Sequence, residues 1–177
     1  MIIAYNHIKP RTDQTEFTRR IPSLPKKQLE RDAKIARQLV RIWDEEHDYN
    51  GLLEFWFKKC RLLSNPRYWE TLRTVWVAAG STDTAERFRP YFQSTRPCRG
   101  WFMTPEDAAE LEKMQFPMKL WRAYDRTPDP GISWTSDYEW CCKYAEGMGR
   151  QVKERIVERD EVFAYISRRH ESEFIIL

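Results

Sequence analysis

Along the first two thirds of the chain, apolar positions recur at helical spacing. Leu29, Ala33, Ala36, Leu39, Val40 and Trp43 return every three or four places with Lys and Arg between them, which predicts an amphipathic helix over 26–46. Residues 51–62 (GLLEFWFKKCRL) begin almost wholly apolar and predict a shorter, buried helix. Asn65-Pro66 pairs a capping residue with proline at a first helical position, so a third helix opens there, with Leu72, Val75, Trp76 and Ala79 inward and Gly80 as its stop. Residues 82–93 predict a fourth helix. Thr104-Pro105 repeats the cap-then-proline signal, and Glu106 and Asp107 lie in the first turn, where the helix dipole favours acids; a fifth helix is predicted over 105–114. Trp43, Trp56, Trp69 and Trp76 fall at helix positions and read as core. Residues 1–25 show no sustained period and end in Ile21-Pro22-Ser23-Leu24-Pro25, a turn-rich lead-in.

After Pro117 the texture changes. Met118–Tyr124 (MKLWRAY) alternates as a strand does, and Gly131–Ser136 (GISWTS) follows a Pro/Asp/Gly turn as a second short strand. Tyr138–Gly147 reads as a helix containing Trp140, Cys141, Tyr144 and Ala145. Strand-sized runs at Gln151–Val157, Val162–Ile166 and Glu173–Leu177 close the chain, with His170 in a turn. Short turns between such runs predict a small, mostly antiparallel sheet with one helix. The expected class is therefore α+β: a helical region over 1–116, then a sheet region over 117–177, packed as one compact unit.

Composition narrows the function classes. Hydrophobic residues make up 41% and charged residues 32% of the 177, enough for a packed core and against wholesale disorder. No apolar run approaches the ~18 residues that a membrane-spanning helix needs, and residues 1–20 mix charged and apolar side chains, unlike a secretion signal. A cytoplasmic protein is expected. The net charge of +3 is too mild to argue for nucleic-acid binding, although residues 1–40 hold nine Lys/Arg against four Asp/Glu, read here as a solvated segment. The four cysteines, Cys60, Cys98, Cys141 and Cys142, form no CxxC pair, and His7, His47 and His170 are not spaced as zinc ligands, so neither a metal nor a disulfide framework is expected. Cys141 and Cys142 read as helix-face packing.

Three motifs in the sheet region form an ordered set. Trp121-Arg122 lies on the first strand, Ser133-Trp134-Thr135-Ser136 on the second, and Glu171-Ser172-Glu173, followed by Phe174-Ile175-Ile176, on the last. Residues two apart on a strand face one side, so Glu171 and Glu173 point together, a costly placement for two like charges unless they serve a purpose. This order resembles the ADP-ribosyltransferase superfamily of the Arg–Ser–Glu type, and within it the small, uncharacterised members found in bacteriophages and prophages. GISWTSDYEWCCKYAEG looks like the family's Ser-x-Thr strand and the helix after it, and VKERIVERDEVFAYISRRHESEFII is similar to its closing strands. The resemblance covers residues 117–177, about a third of the chain, and the second strand reads Ser-Trp-Thr-Ser where the family has Ser-Thr-Ser. The eleven-residue step from Arg122 to Ser133 is short for the family.

The resemblance implies an ADP-ribosyltransferase-like sheet and NAD as substrate, without a metal. Cleaving the nicotinamide–ribose bond develops positive charge on the ribose, and a carboxylate beneath that ring stabilises it; Glu173 takes this role. Glu171 is the candidate base for an acceptor. Arg122 offers the fork that a diphosphate fits. Ser133 or Thr135 holds the carboxylate or the ribose, and Trp134 or Tyr124 stacks on nicotinamide or adenine. The acceptor is a host protein, most simply at arginine, or a nucleic acid, met in the host cytoplasm if the chain is of phage origin. Two other readings stay open: an NAD glycohydrolase with the same residues, and a non-enzymatic inhibitor that keeps the fold and binds a host defence protein.

Overall fold

The structure is a computed structural model that describes residues 24–45, 47–79, 85–125, 131–168 and 171–177, leaving aside the side chains of Ala79, Arg168 and Glu171. The lead-in, the Gly80 stop, the turn over 126–130 and His170 lie outside the described residues. Six helices and five strands are described: α1 (Lys26–Asp44), α2 (Tyr49–Lys59), α3 (Asn65–Ala79), α4 (Ala85–Phe92), α5 (Pro105–Leu111), β1 (Met118–Tyr124), β2 (Ser133–Thr135), α6 (Tyr138–Gly147), β3 (Gln151–Val157), β4 (Val162–Arg168) and β5 (Glu171–Ile176). The class is α+β, with helices first and an antiparallel sheet last. The chain divides into two compact units, 1–80 with 96–102, and 81–95 with 103–177, so α4 and α5, which the sequence pattern groups with the helical region, belong to the sheet unit.

In the first unit, Leu52, Trp56, Trp69, Leu72 and Val75 are buried, as the periodicity of α2 and α3 requires. The indole of Trp69 donates to the carbonyl of Pro97 at 2.9 Å, and the Arg96 guanidinium lies 4.5 Å from the Tyr68 ring centre and donates to the Leu63 carbonyl at 2.9 Å, which fixes the segment after residue 95 to α3. The inner face of α1 differs from the expected one. Its buried stripe is Asp32, Ile35, Ala36, Leu39 and Ile42, while Leu29 is exposed. The cause is Asp32. Its carboxylate accepts from the Ser64 amide at 3.0 Å, the Ser64 hydroxyl at 2.5 Å and the Gln28 amide at 2.8 Å, and this knot turns the helix by a fraction of a turn. Asp48 caps α2 by accepting from the Gly51 amide at 2.8 Å, which starts that helix two residues earlier than expected.

The second unit is built on a sheet in the order β3-β1-β2-β5-β4, every pair antiparallel. One face carries Leu120, Trp134, Tyr165, Phe174 and Ile176, covered by Leu111 of α5. The other carries Trp121, Ala123 and Val152, covered by Cys141 and Ala145 of α6. Thr104 caps α5 by accepting from the Asp107 amide, as the cap-then-proline signal predicts, and Asp137 caps α6 by accepting from the Trp140 amide. Phe92 of α4 meets Phe163 of β4 edge to face at 5.3 Å. Among the described residues no helix is long and apolar enough to cross a membrane.

Candidate active site

The sheet has a seam. β1 and β3 stay in register over seven pairs, from Met118↔Val157 to Tyr124↔Gln151, and β2 runs beside β5 over three. Between β1 and β2 the register gives one pair, Trp121↔Thr135. Beyond that rung the two ladders separate, and the expected second strand is cut to Ser133–Thr135.

Arg122 fills the separation. It is 6% exposed, and its guanidinium Nη1 donates to the Ser133 carbonyl at 2.6 Å. The same guanidinium lies against Gly131, so closely that a Cβ there would stand 1.7 Å from Nη2. Glycine at 131 is thus what lets the arginine lie between the strands.

On the far side of the seam stands Glu173, 7% exposed, opposite Thr135 on β2 and Ile166 on β4. Its Oε1 accepts from the Ser133 hydroxyl at 2.7 Å. Ser133 is therefore the joint of the site: its carbonyl holds Arg122 and its hydroxyl holds Glu173. Thr135 is engaged elsewhere, its hydroxyl accepting from the Asp137 amide at 3.1 Å in the turn that opens α6. Of the two hydroxyls left open by the sequence, only that of Ser133 meets the carboxylate.

Trp134 is buried in the apolar cluster beneath the sheet, and the Lys153 ammonium sits 5.1 Å from its ring centre. Tyr124 is half-buried, its hydroxyl donating to Gln151 at 2.8 Å. The strand period puts Glu171 on the face of Glu173, opposite Arg168 in the backbone register; its side chain lies outside the described residues. Arg122, Ser133 and Glu173 thus come together, while Trp134, Thr135 and Tyr124 are held by other parts of the protein. Cys141 lies on the inner face of α6, and burial pushes its thiol up to about 11. Among the described residues no group of three or more His, Cys, Asp or Glu is placed to hold a metal ion.

Sequence reading missed two participants. Gly131 is an ordinary turn residue until β1 and β2 are known to part beside it. Nothing in the sequence pattern distinguishes Lys153 from its charged neighbours; the register sets it opposite Arg122. No protein-family model, curated protein or solved structure matches the chain.

Proposed function

We propose that this protein cleaves the nicotinamide–ribose bond of NAD and transfers the ADP-ribose to a host macromolecule. The observation that carries the reading is the 2.7 Å hydrogen bond from the Ser133 hydroxyl to a buried Glu173, beside a buried Arg122 bound to the same serine. A carboxylate withdrawn from water and held by the Ser133 hydroxyl is a fixed negative charge, and fixed charge acts most strongly where positive charge develops during reaction. With the ribose over Glu173, the bond from C1′ to the nicotinamide nitrogen breaks, nicotinamide leaves with the bonding pair, and the cationic ribose is stabilised by the carboxylate until the acceptor nucleophile bonds to C1′. Arg122 exchanges the Ser133 carbonyl for a diphosphate oxygen, a contact its planar fork suits. Glu171 takes the proton of the acceptor, as the family resemblance implies.

The test is an etheno-NAD cleavage assay with and without host lysate. Labelled acceptor supports transfer, and free ADP-ribose alone supports a glycohydrolase. Glu173→Gln keeps the shape and the serine contact but removes the charge, and its turnover should fall ~10²-fold or more with the fold intact. A parental rate in that variant, or no cleavage by the parent under any condition, refutes the reading.

A further inference from the structure

Arg122 and Lys153 are direct cross-strand partners, so their side chains leave β1 and β3 on the same face. Lys153 is half-buried. Its ammonium lies 5.4 Å from the ring centre of Tyr124 on β1 and 5.1 Å from that of Trp134 on β2. Strands lie about 4.8 Å apart, so this side chain reaches across β1 toward a ring rooted two strands away. The Arg122 guanidinium ends on Ser133, the residue next to Trp134. Two cations from neighbouring strands thus converge on adjacent residues of β2, at the place where β1 and β2 part. Two linked phosphoryl groups have the reach and the oxygens to engage two such cations at once. The two are chemically unlike: a planar fork that takes two oxygens of one phosphoryl group, and a compact ammonium held by aromatic faces.

We infer that Arg122 and Lys153 form a paired cation site for a diphosphate, with Lys153 as the second phosphate ligand. The site deepens the NAD reading above and rests on it for the identity of the natural ligand. Lys153 supplies the charge that Arg122 alone leaves unmatched on a bridge of two phosphates. The rings of Trp134 and Tyr124 serve here as the cradle of the lysine.

Calorimetric titration decides this, using the full chain carrying Glu173→Gln so that NAD is not consumed. The ligands are NAD, inorganic pyrophosphate, and nicotinamide riboside, which lacks the diphosphate. Adding Lys153→Gln should weaken NAD and pyrophosphate about tenfold, the size of one lost charge-assisted contact. Nicotinamide riboside should bind as before, and Lys153→Arg should retain most of the affinity. NAD and pyrophosphate affinities unchanged in Lys153→Gln, with only a lower melting temperature, would reduce Lys153 to a packing residue and overturn the inference. A second measurement needs no variant: saturating pyrophosphate should protect Lys153 from acetylation in the parent, read by mass spectrometry, and equal labelling overturns the inference. Lys153-dependent pyrophosphate binding without NAD binding keeps this site and removes the NAD reading. NAD binding indifferent to Lys153 does the reverse.

Discussion

Replacing Gly131 by alanine isolates the contact that seats Arg122. The backbone of Gly131 is not in the left-handed region, which among the described glycines only Gly149 occupies, so alanine suits the main chain itself. The obstacle is the guanidinium, whose Nη2 and Cζ would stand 1.7 and 1.8 Å from the new Cβ. One group must move, and the arginine is the flexible one. It then gives up the 2.6 Å bond to the Ser133 carbonyl. A hydrogen bond from a charged donor contributes about 1.5–3 kcal/mol, and alanine returns about 0.4–1 kcal/mol by stiffening the unfolded chain. Gly131→Ala should therefore cost about 1–2 kcal/mol net. The assay is urea unfolding of four proteins: the parent, Gly131→Ala, Arg122→Met and the double variant. In the Arg122→Met background nothing remains to clash, so Gly131→Ala should become neutral or slightly stabilising, giving a coupling of about 1.5–3 kcal/mol. NAD affinity should fall in Gly131→Ala although every charged residue is kept. A parental stability for Gly131→Ala, or strictly additive losses in the double variant, refutes the placement of the guanidinium between the strands.

Two further outcomes test other parts of the molecule. Asp32→Ala should destabilise the helical unit by about 3 kcal/mol, because the Ser64 amide and hydroxyl lose their buried acceptor; urea titration followed by tryptophan fluorescence measures it, and a loss under ~1 kcal/mol contradicts the knot. Cys141 has its thiol raised from 9.0 to about 11 by burial, so the folded state holds that proton more tightly than the unfolded chain does. Its contribution to stability is full below pH 9 and is lost as the pH rises from 9 to about 11; Cys141→Ala should flatten the melting temperature over that window, and an unchanged slope contradicts this.

The elements were legible where local chemistry decides them. Thr104-Pro105 starts a helix because the hydroxyl caps it and proline at a first position loses no bond. MKLWRAY is a strand of a sheet covered on both faces because it carries apolar side chains to both, Leu120 to one and Trp121 and Ala123 to the other. The stripe of α1 was misplaced because hydropathy counts Asp32 as outward, and its partner Ser64 lies 32 residues away. The three site residues were legible as types in order, but their joint was not. That Ser133, and not Thr135, meets Glu173 depends on a register in which Thr135 spends its hydroxyl on the Asp137 amide. That Arg122 lies between strands depends on the ladders parting, and alternation within one strand carries no information about its neighbour.

The outer strands of the sheet bear on how the protein behaves when crowded. An edge strand offers unpaired amides to any other extended chain, the usual opening for aggregation and domain swapping. On β4 that opening is closed from within. The Tyr165 amide is taken by the Met103 sulfur at 3.4 Å and the Ser167 amide by the Asp107 carboxylate at 3.0 Å, so the docking points of a foreign strand are already occupied by the chain around α5. On β3 the guard is electrostatic: the exposed Glu154 and Arg155 stand in succession, followed by Ile156, which is 66% exposed. The two edges are therefore guarded by unlike devices, one of hydrogen bonds and one of charge. Salt weakens only the second, so concentrated salt directs any self-association of the sheet to β3.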